Sequence, residues 1–189
     1  MNDITVITPS LPEREHFLRE AKESVRNQTI TVRHHVKRDS PYAFNRRGPG
    51  TVMNEILEGV KTPWYAVLPD DDLLDPDHCE ILLENSKGAD IVFSWPRFIG
   101  DQVDDREPFR GDWDPQNLLD KKASGLHGVY LARTELWREI GGYEPHMEDW
   151  IFLSTAINRG AVIVPVYQVT WSYRFHNLST SVLMTRALA

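Results

Sequence analysis

Cysteine is almost missing. Cys79 is the single one among 189 residues, so no disulfide can form within the chain, and a reducing, cytoplasmic setting is the expectation. Long apolar runs are missing as well. The longest, Trp64 to Leu68 and Ala161 to Tyr167, fall far short of the roughly 20 residues that cross a bilayer, so no membrane-spanning segment is expected. Met1-Asn2-Asp3-Ile4 carries neither the basic flank nor the apolar stretch of a signal peptide. No internal period is visible, which excludes a solenoid. Basic residues are the minority, 21 against 28 acids for a net charge of -7, and that balance argues against broad nucleic-acid binding, which lives on lysine and arginine. What is present is material for a core. The chain is 41% hydrophobic and 10% aromatic, which excludes a disordered tail and suits one domain of this length.

The charges are unevenly spread. From Arg33 to Arg47 the cations Arg33, Lys37, Arg38, Arg46 and Arg47 face one acid, Asp39. That stretch reads as an anion pocket or as a solvated loop. From Asp101 to Asp114 acids dominate, and the segment reads as a loop that shapes the choice of a second substrate, or as a lid.

The first half alternates. Ile4 to Thr8 is a β-branched strand stopped by Pro9. Residues 13–27 place Phe17, Leu18, Ala21 and Val25 on one helical stripe. A second strand is predicted over 29–36, a loop over 40–50, and a helix over 51–60 capped by Thr51. A third strand covers Trp64 to Leu68, a helix opens at Pro76, and a fourth strand covers 89–95. The second half is less regular. It reads as an acidic hairpin or loop over 96–115, a strand over 129–132, helices over 135–140 and 148–158, strands over 162–166 and 168–173, and a loose end from about Ser179. This alternation predicts an α/β domain with a mostly parallel central sheet and helices on both faces. Residues 1–95 would bind a nucleotide and 96–189 an acceptor. Ligands in such sheets sit beyond the carboxyl ends of the strands, so Thr8 to Arg14, Lys37 to Pro41 and Asp70 to Asp72 are expected to be neighbours.

Asp70-Asp71-Asp72 is the strongest single feature. Three adjacent carboxylates after an apolar strand repel one another, and their burial is costly unless a hard dication or other partners compensate. The alternative is an acidic turn in which Asp72 caps the next helix. His34-His35 has no partner at a metal-ligand spacing and is left as structural. Cys79 reads as a small buried hydrophobe, and Trp95, Trp113, Trp150 and Trp171 as core or sugar-stacking residues.

Trp64-Tyr65-Ala66-Val67-Leu68-Pro69-Asp70-Asp71-Asp72, followed by Leu73-Leu74-Asp75-Pro76, resembles the DXD region of family-2 glycosyltransferases with the GT-A (Rossmann-like) fold. Further segments are similar in the same order: Ile4 to Pro9, Ser24-Val25-Arg26-Asn27-Gln28-Thr29, Gly50 to Gly59 with Asn54, Gly141-Gly142-Tyr143 with Glu148-Asp149, and Tyr173-Arg174-Phe175-His176-Asn177-Leu178-Ser179. Two departures stand out. Val36 to Pro41 keeps one Asp of the family's Asp-Asp-Gly-Ser, and Val52-Met53-Asn54 lacks the arginine of its Ala-Arg-Asn, a loss for which Arg46 or Arg47 is a candidate substitute.

The resemblance implies a metal-dependent inverting transfer of a sugar from a nucleotide-sugar donor, a UDP-sugar favoured, to an acceptor hydroxyl. Asp72 and His176 would hold Mn²⁺ or Mg²⁺. Thr8, Pro9, Arg14, Asp39, Asn54, Asp70, Asp71 and Arg174 would bind the donor. Asp149, with Glu148 beside it, would deprotonate the acceptor, and their place at a helix start would favour the ionised form. The acceptor would be a saccharide or, at the limit, a modified base in DNA. Two other classes stay open. A nucleotidyltransferase would want a glycine-rich loop after the first strand, where residues 8–14 have no glycine. A non-catalytic nucleotide-sugar or partner-binding module would keep the fold without product formation.

Overall fold

The computed structural model describes residues 3–40, 46–100, 110–122, 126 and 128–179. Strand β1 (Ile4–Ser10) is buried except for half-buried Pro9. A 3₁₀ turn over Pro12–Arg14 leads into α1 (Glu15–Arg26), which buries Leu18, Ala21 and Val25 on one stripe. Strand β2 (Arg33–Arg38) lies at one edge of the sheet. Its residues alternate between two helices: Lys37 pairs with Glu55 on one face and Arg38 with Glu15 on the other. Helix α2 (Pro49–Leu57) starts earlier than the sequence predicts, because Pro49 occupies the first turn behind Gly48. Thr51 lies inside the helix and its hydroxyl donates to Arg47 O at 2.8 Å.

Strand β3 (Trp64–Val67) is followed by a two-residue strand, β4 (Leu73–Leu74), and by α3 (His78–Glu84). Strand β5 (Ile91–Ile99) runs past its expected end. The short helix α4 (Pro115–Leu119) is capped by Asp114, whose Oδ1 accepts from Gln116 N at 2.9 Å. Strand β6 (Leu131–Arg133), α5 (Thr134–Ile140), α6 (Glu148–Asn158) and β7 (Ile163–Arg174) complete the described elements. The two strands expected over 162–173 are one. The register shifts on β5 between Ser94 and Pro96 absorb the irregularity as a bulge around exposed Tyr167.

The seven strands lie in the order β2-β1-β3-β6-β5-β7-β4. β1, β2, β3, β5 and β7 share one direction, and β6 and β4 oppose it. The expected α/β class with a mostly parallel core is therefore present. One core cluster joins Ile7, Tyr65, Val67, Phe93 and Trp95 to α2 and α6 through Val52, Met53 and Phe152. The opposite face joins Val6, Ala66, Val92 and Trp171 to α1 and α3 through Ala21, Val25 and Leu82. Cys79 is buried among the second set, and burial pushes its thiol up to about 12.

The parallel strands deliver their carboxyl ends to one edge. There Asp39 N donates to Ser10 O at 2.9 Å, and Leu11 N donates to Asp70 Oδ2 at 2.9 Å. The three segments expected as neighbours do meet, although Pro41 lies outside the described residues. So do residues 101–109 of the acidic segment and the chain beyond Ser179.

Candidate active site

Leu68 and Pro69 carry the chain out of β3, and the three aspartates follow at the sheet edge. Asp70 is buried and turns back toward the turn after β1. Its Oδ1 accepts from Arg14 Nη1 at 3.1 Å, in addition to the bond from Leu11 N. The same Arg14 nitrogen stands 3.0 Å from Asp71 Oδ2. Arg14 is itself buried and also donates to Leu178 O. It is thus the internal counter-ion of two carboxylates, not a free cation awaiting a phosphate. Burial pushes Asp70 above its ordinary range, helped by repulsion from Asp71 and only partly offset by Arg14. Burial would raise Asp71 too, but the hydrogen bond from His176 and the charge of Arg14 win and hold it low.

His176 uses both ring nitrogens. Leu178 N donates to Nδ1 at 3.1 Å, which places the proton on Nε2, and Nε2 donates to Asp71 Oδ2 at 2.9 Å. The ring also rests on Phe17, centroids 4.4 Å apart. In this arrangement His176 orients Asp71, and reaching a metal would require it to give up that bond.

Asp72 differs from its neighbours. It does not cap α3, whose N-cap is Asp77. Its Oδ1 accepts from Arg174 N at 2.9 Å. Burial, then repulsion from Asp71, push it well above the ordinary carboxylate range, and the Arg174 contact does not compensate. A buried carboxylate so destabilised as an anion fits a cation. Among the described residues no three acid, histidine or cysteine side chains stand ready to ligate an ion. The donor set therefore fits a dication shared with phosphate oxygens and held by one or two carboxylates, as Mg²⁺ and Mn²⁺ commonly are, rather than a closed protein cage.

Most residues expected at the donor have other partners. Thr8 is fully buried, and its hydroxyl lies 2.9 Å from His34 Nε2 across the β1–β2 pair. Pro9 is half-buried at the end of β1. Asp39 anchors the segment before α2: Oδ2 accepts from Arg47 N at 3.0 Å and Gly48 N at 3.2 Å, and Oδ1 from Ser40 N at 2.7 Å. Asn54 is a clamp. Its Oδ1 accepts from Tyr143 N at 2.8 Å and Trp137 Nε1 at 2.9 Å, and its Nδ2 donates to Tyr143 O at 2.8 Å. Arg174 Nε donates to Asp71 O at 2.9 Å, and its guanidinium pairs with Glu20 over the ring of Phe17. The basic stretch from Arg33 to Arg47 is largely neutralised as well. Lys37 and Arg47 share Glu55, Arg38 takes Glu15, and Arg46 takes Glu13.

Glu148 and Asp149 open α6 behind Met147, which adopts the left-handed conformation at φ 53°. This entry is shaped by glycine. A Cβ at Gly50 would stand 1.8 Å from Glu144 O, and one at Gly48 2.1 Å from Pro145 O, so α2 packs backbone to backbone against the segment before α6. Glu148 is raised to about 7, by burial first and then by Asp149. The helix start does not keep it ionised, contrary to expectation, because desolvation outweighs the helix dipole. Asp149 Oδ1 accepts from Trp150 N at 2.7 Å. Tyr173 feels the charge of the aspartates and of Asp149. Burial, then the charges of Asp72, Asp71 and Asp149, push its phenol up to about 12. In the core cluster that includes Phe152 of α6, a buried chain of hydroxyls runs from Tyr65 to Tyr143 at 2.6 Å and from Tyr143 to Tyr130 at 2.7 Å.

Tyr173 and Gly50 appear in the sequence only as members of similar segments with no role of their own, and neither Tyr130 nor the packing at Gly48 and Gly50 is singled out there. An aromatic in a β-rich run carries no mark of the charges it will face, whereas the Gly-Pro-Gly around Pro49 was visible only as a loop.

No family model matches the chain, and no curated protein matches it by sequence. Its fold is similar to that of S. aureus TarS. Against the crystal structure of TarS 1–349 in complex with UDP-GlcNAc the TM-score is 0.73 at 13% identity, covering 93% of this chain and 59% of that one. The complex with UDP gives a TM-score of 0.72 at 13% identity, with 94% and 61% covered. A further TarS structure gives 0.72 over 94% of this chain and 37% of that one. The chain thus spans less than two thirds of the TarS structures it matches, and the likeness extends to the fold.

Proposed function

We propose that the chain is a glycosyltransferase that moves a sugar from a nucleotide-sugar donor, a UDP-sugar in the first instance, to an acceptor hydroxyl with inversion. The observation that carries this reading is the buried acid cluster after β3: Arg14 bridges Asp70 and Asp71, His176 donates to Asp71, and the Arg174 backbone donates to Asp72. The fold likeness to a protein crystallised with UDP-GlcNAc and with UDP supports the same donor class.

Each group has a part. Arg14 and His176 fix Asp71, while Asp72 remains the carboxylate with most to gain from a positive partner. A Mn²⁺ or Mg²⁺ ion held by Asp72 would neutralise charge on the departing diphosphate. The Glu148–Asp149 pair accepts the proton of the attacking hydroxyl, Asp149 as the base with Glu148, raised to about 7, beside it. Attack from the face opposite the leaving group inverts the anomeric carbon.

UDP-, GDP- and TDP-sugars are screened for thermal stabilisation with and without Mn²⁺, followed by product detection from a labelled donor. A UDP-sugar should stabilise the wild type more strongly with Mn²⁺, and Asp72→Asn should remove the metal-dependent part. Metal-independent binding that survives Asp72→Asn overturns the assignment of Asp72. Binding without product under any acceptor favours the non-catalytic module, and release of pyrophosphate favours a nucleotidyltransferase.

A further inference from the structure

A cavity of about 280 Å³ lies on the flank of the sheet, between α1 and the edge strand β2. Its apolar walls are Val25, Val32 and Val36, and its polar groups are Lys22, Arg26 and His34. Lys22 and Arg26 stand one helical turn apart on the same face of α1. His34 reaches in from the strand, held by its Nε2 contact to Thr8 Oγ1 at 2.9 Å.

The charge around this cavity is less compensated than that at the end of β2 and after it. Elsewhere on β2 and the segment after it, Lys37, Arg38, Arg46 and Arg47 each have a carboxylate. At the cavity, Lys22 has no acid partner among the described residues. Arg26 has only Glu23, at 3.2 Å on the exposed side of the same helix, a pairing of small worth. On the cavity side of β2, Arg38 is already matched by Glu15. Burial, followed by the charges of Lys22, His35 and Arg26, holds His34 down at about 4. In a protein of net charge -7, two cations, one without an acid partner among the described residues and one with a weak exposed partner, beside an apolar floor make a place where an anion lowers the energy.

We infer that the Lys22–Arg26–His34 cavity binds a phosphate group, free or as a small phosphate ester, at a site separate from the donor edge. Phosphate, which takes charge-assisted hydrogen bonds from lysine and arginine, suits the two cations that line the cavity. The volume sets the size of the ligand. It falls just below the range of about 300–1,000 Å³ for small-molecule sites, which suits a phosphate with a small organic body against the valines better than a whole sugar nucleotide. Cations on the far face of the strand, such as Lys37, point toward α2 and take no part.

Inorganic phosphate and glycerol 3-phosphate are titrated separately into the wild-type chain and into the double variant Lys22→Ala/Arg26→Ala, following the His34 ring resonance near neutral pH and the thermal midpoint. Neither side chain is among those that α1 buries, so the variant is expected to fold. The wild type should show saturable shifts in both signals, and the variant should bind about tenfold more weakly or worse. A tighter response to the ester identifies it as the natural class, and an equal response identifies free phosphate; both support the site. An unmoved wild type at millimolar phosphate, or equal responses from wild type and variant, overturns it. UDP-sugar binding is measured in parallel. Retention of that binding by the variant marks the two sites as separate, and its loss refutes the separation.

Discussion

Replacing Glu148 by glutamine tests the chemistry of the α6 start and its energetics together. In the folded chain the Glu148 carboxyl titrates at about 7 against an ordinary 4.5, because burial and Asp149 disfavour its charge. The folded state therefore holds a proton that the unfolded state has released, and stability falls as pH rises between those values. At about 1.36 kcal/mol per pH unit, the whole interval is worth about 3 kcal/mol, reduced toward about 1–2 kcal/mol by partial solvent access. Glutamine keeps the shape and cannot ionise. Urea unfolding of both proteins at pH 5 and pH 8 should give nearly equal stabilities at the lower pH. At the higher pH Glu148→Gln should be the more stable by about 1–3 kcal/mol. Transfer should move the opposite way. The wild-type rate should rise with pH through about 7 as Glu148 deprotonates, and the variant should lose that limb. Parallel stability differences at the two pH values would refute the burial argument. An unchanged pH–rate profile would remove Glu148 from proton transfer.

Three other substitutions separate architecture from chemistry. Asn54→Ala strips partners from Tyr143 N and Trp137 Nε1 and should cost about 2–4 kcal/mol in thermal or urea unfolding; weakened donor binding at unchanged stability would return Asn54 to the donor site. Gly50→Ala drives a Cβ onto Glu144 O and should cost at least about 2 kcal/mol, with transfer falling because the α6 start shifts; a wild-type melting curve would contradict the close packing. Arg14→Met leaves Asp70 and Asp71 without their buried cation and should cost about 3–5 kcal/mol by urea unfolding at neutral pH. A loss confined to donor affinity would show Arg14 to be a ligand contact instead.

Local pattern made part of this molecule readable in advance. The β-branched run of β1, the apolar stripe of α1 and the Pro-started α2 and α4 regions obey short-range rules, and all but α4 were anticipated as elements. The two-residue β4 and five-residue α4 are too short to leave a period. The aspartates announced a charged corner because three acids in sequence need an explanation wherever they fall. The individual donor residues were less legible, since a side chain's partner is set by the fold. Asp39 meets Arg47 and Gly48 across a loop, Asn54 meets Tyr143 from 89 positions away, and Arg14 meets Asp70 from 56 away. Nothing near those residues in sequence indicates that their hydrogen-bonding capacity is already taken. The same holds for Glu148, where the helix start argued for ionisation and only the surrounding packing reversed it.

Strand β6 comes from the later part of the chain, yet it is stitched between β3 and β5, with Tyr65 opposite Ala132 and Val92 opposite Leu131. A piece cut off after residue 95 would lose β6 from between β3 and β5 and β7 from beside β5, and the remainder would keep β6 and β7 without most of the strand that separates them. Neither piece is a transplantable module. Variation in such a scaffold has to proceed by remodelling the excursions that leave the sheet, because exchanging the whole second half would unzip the first.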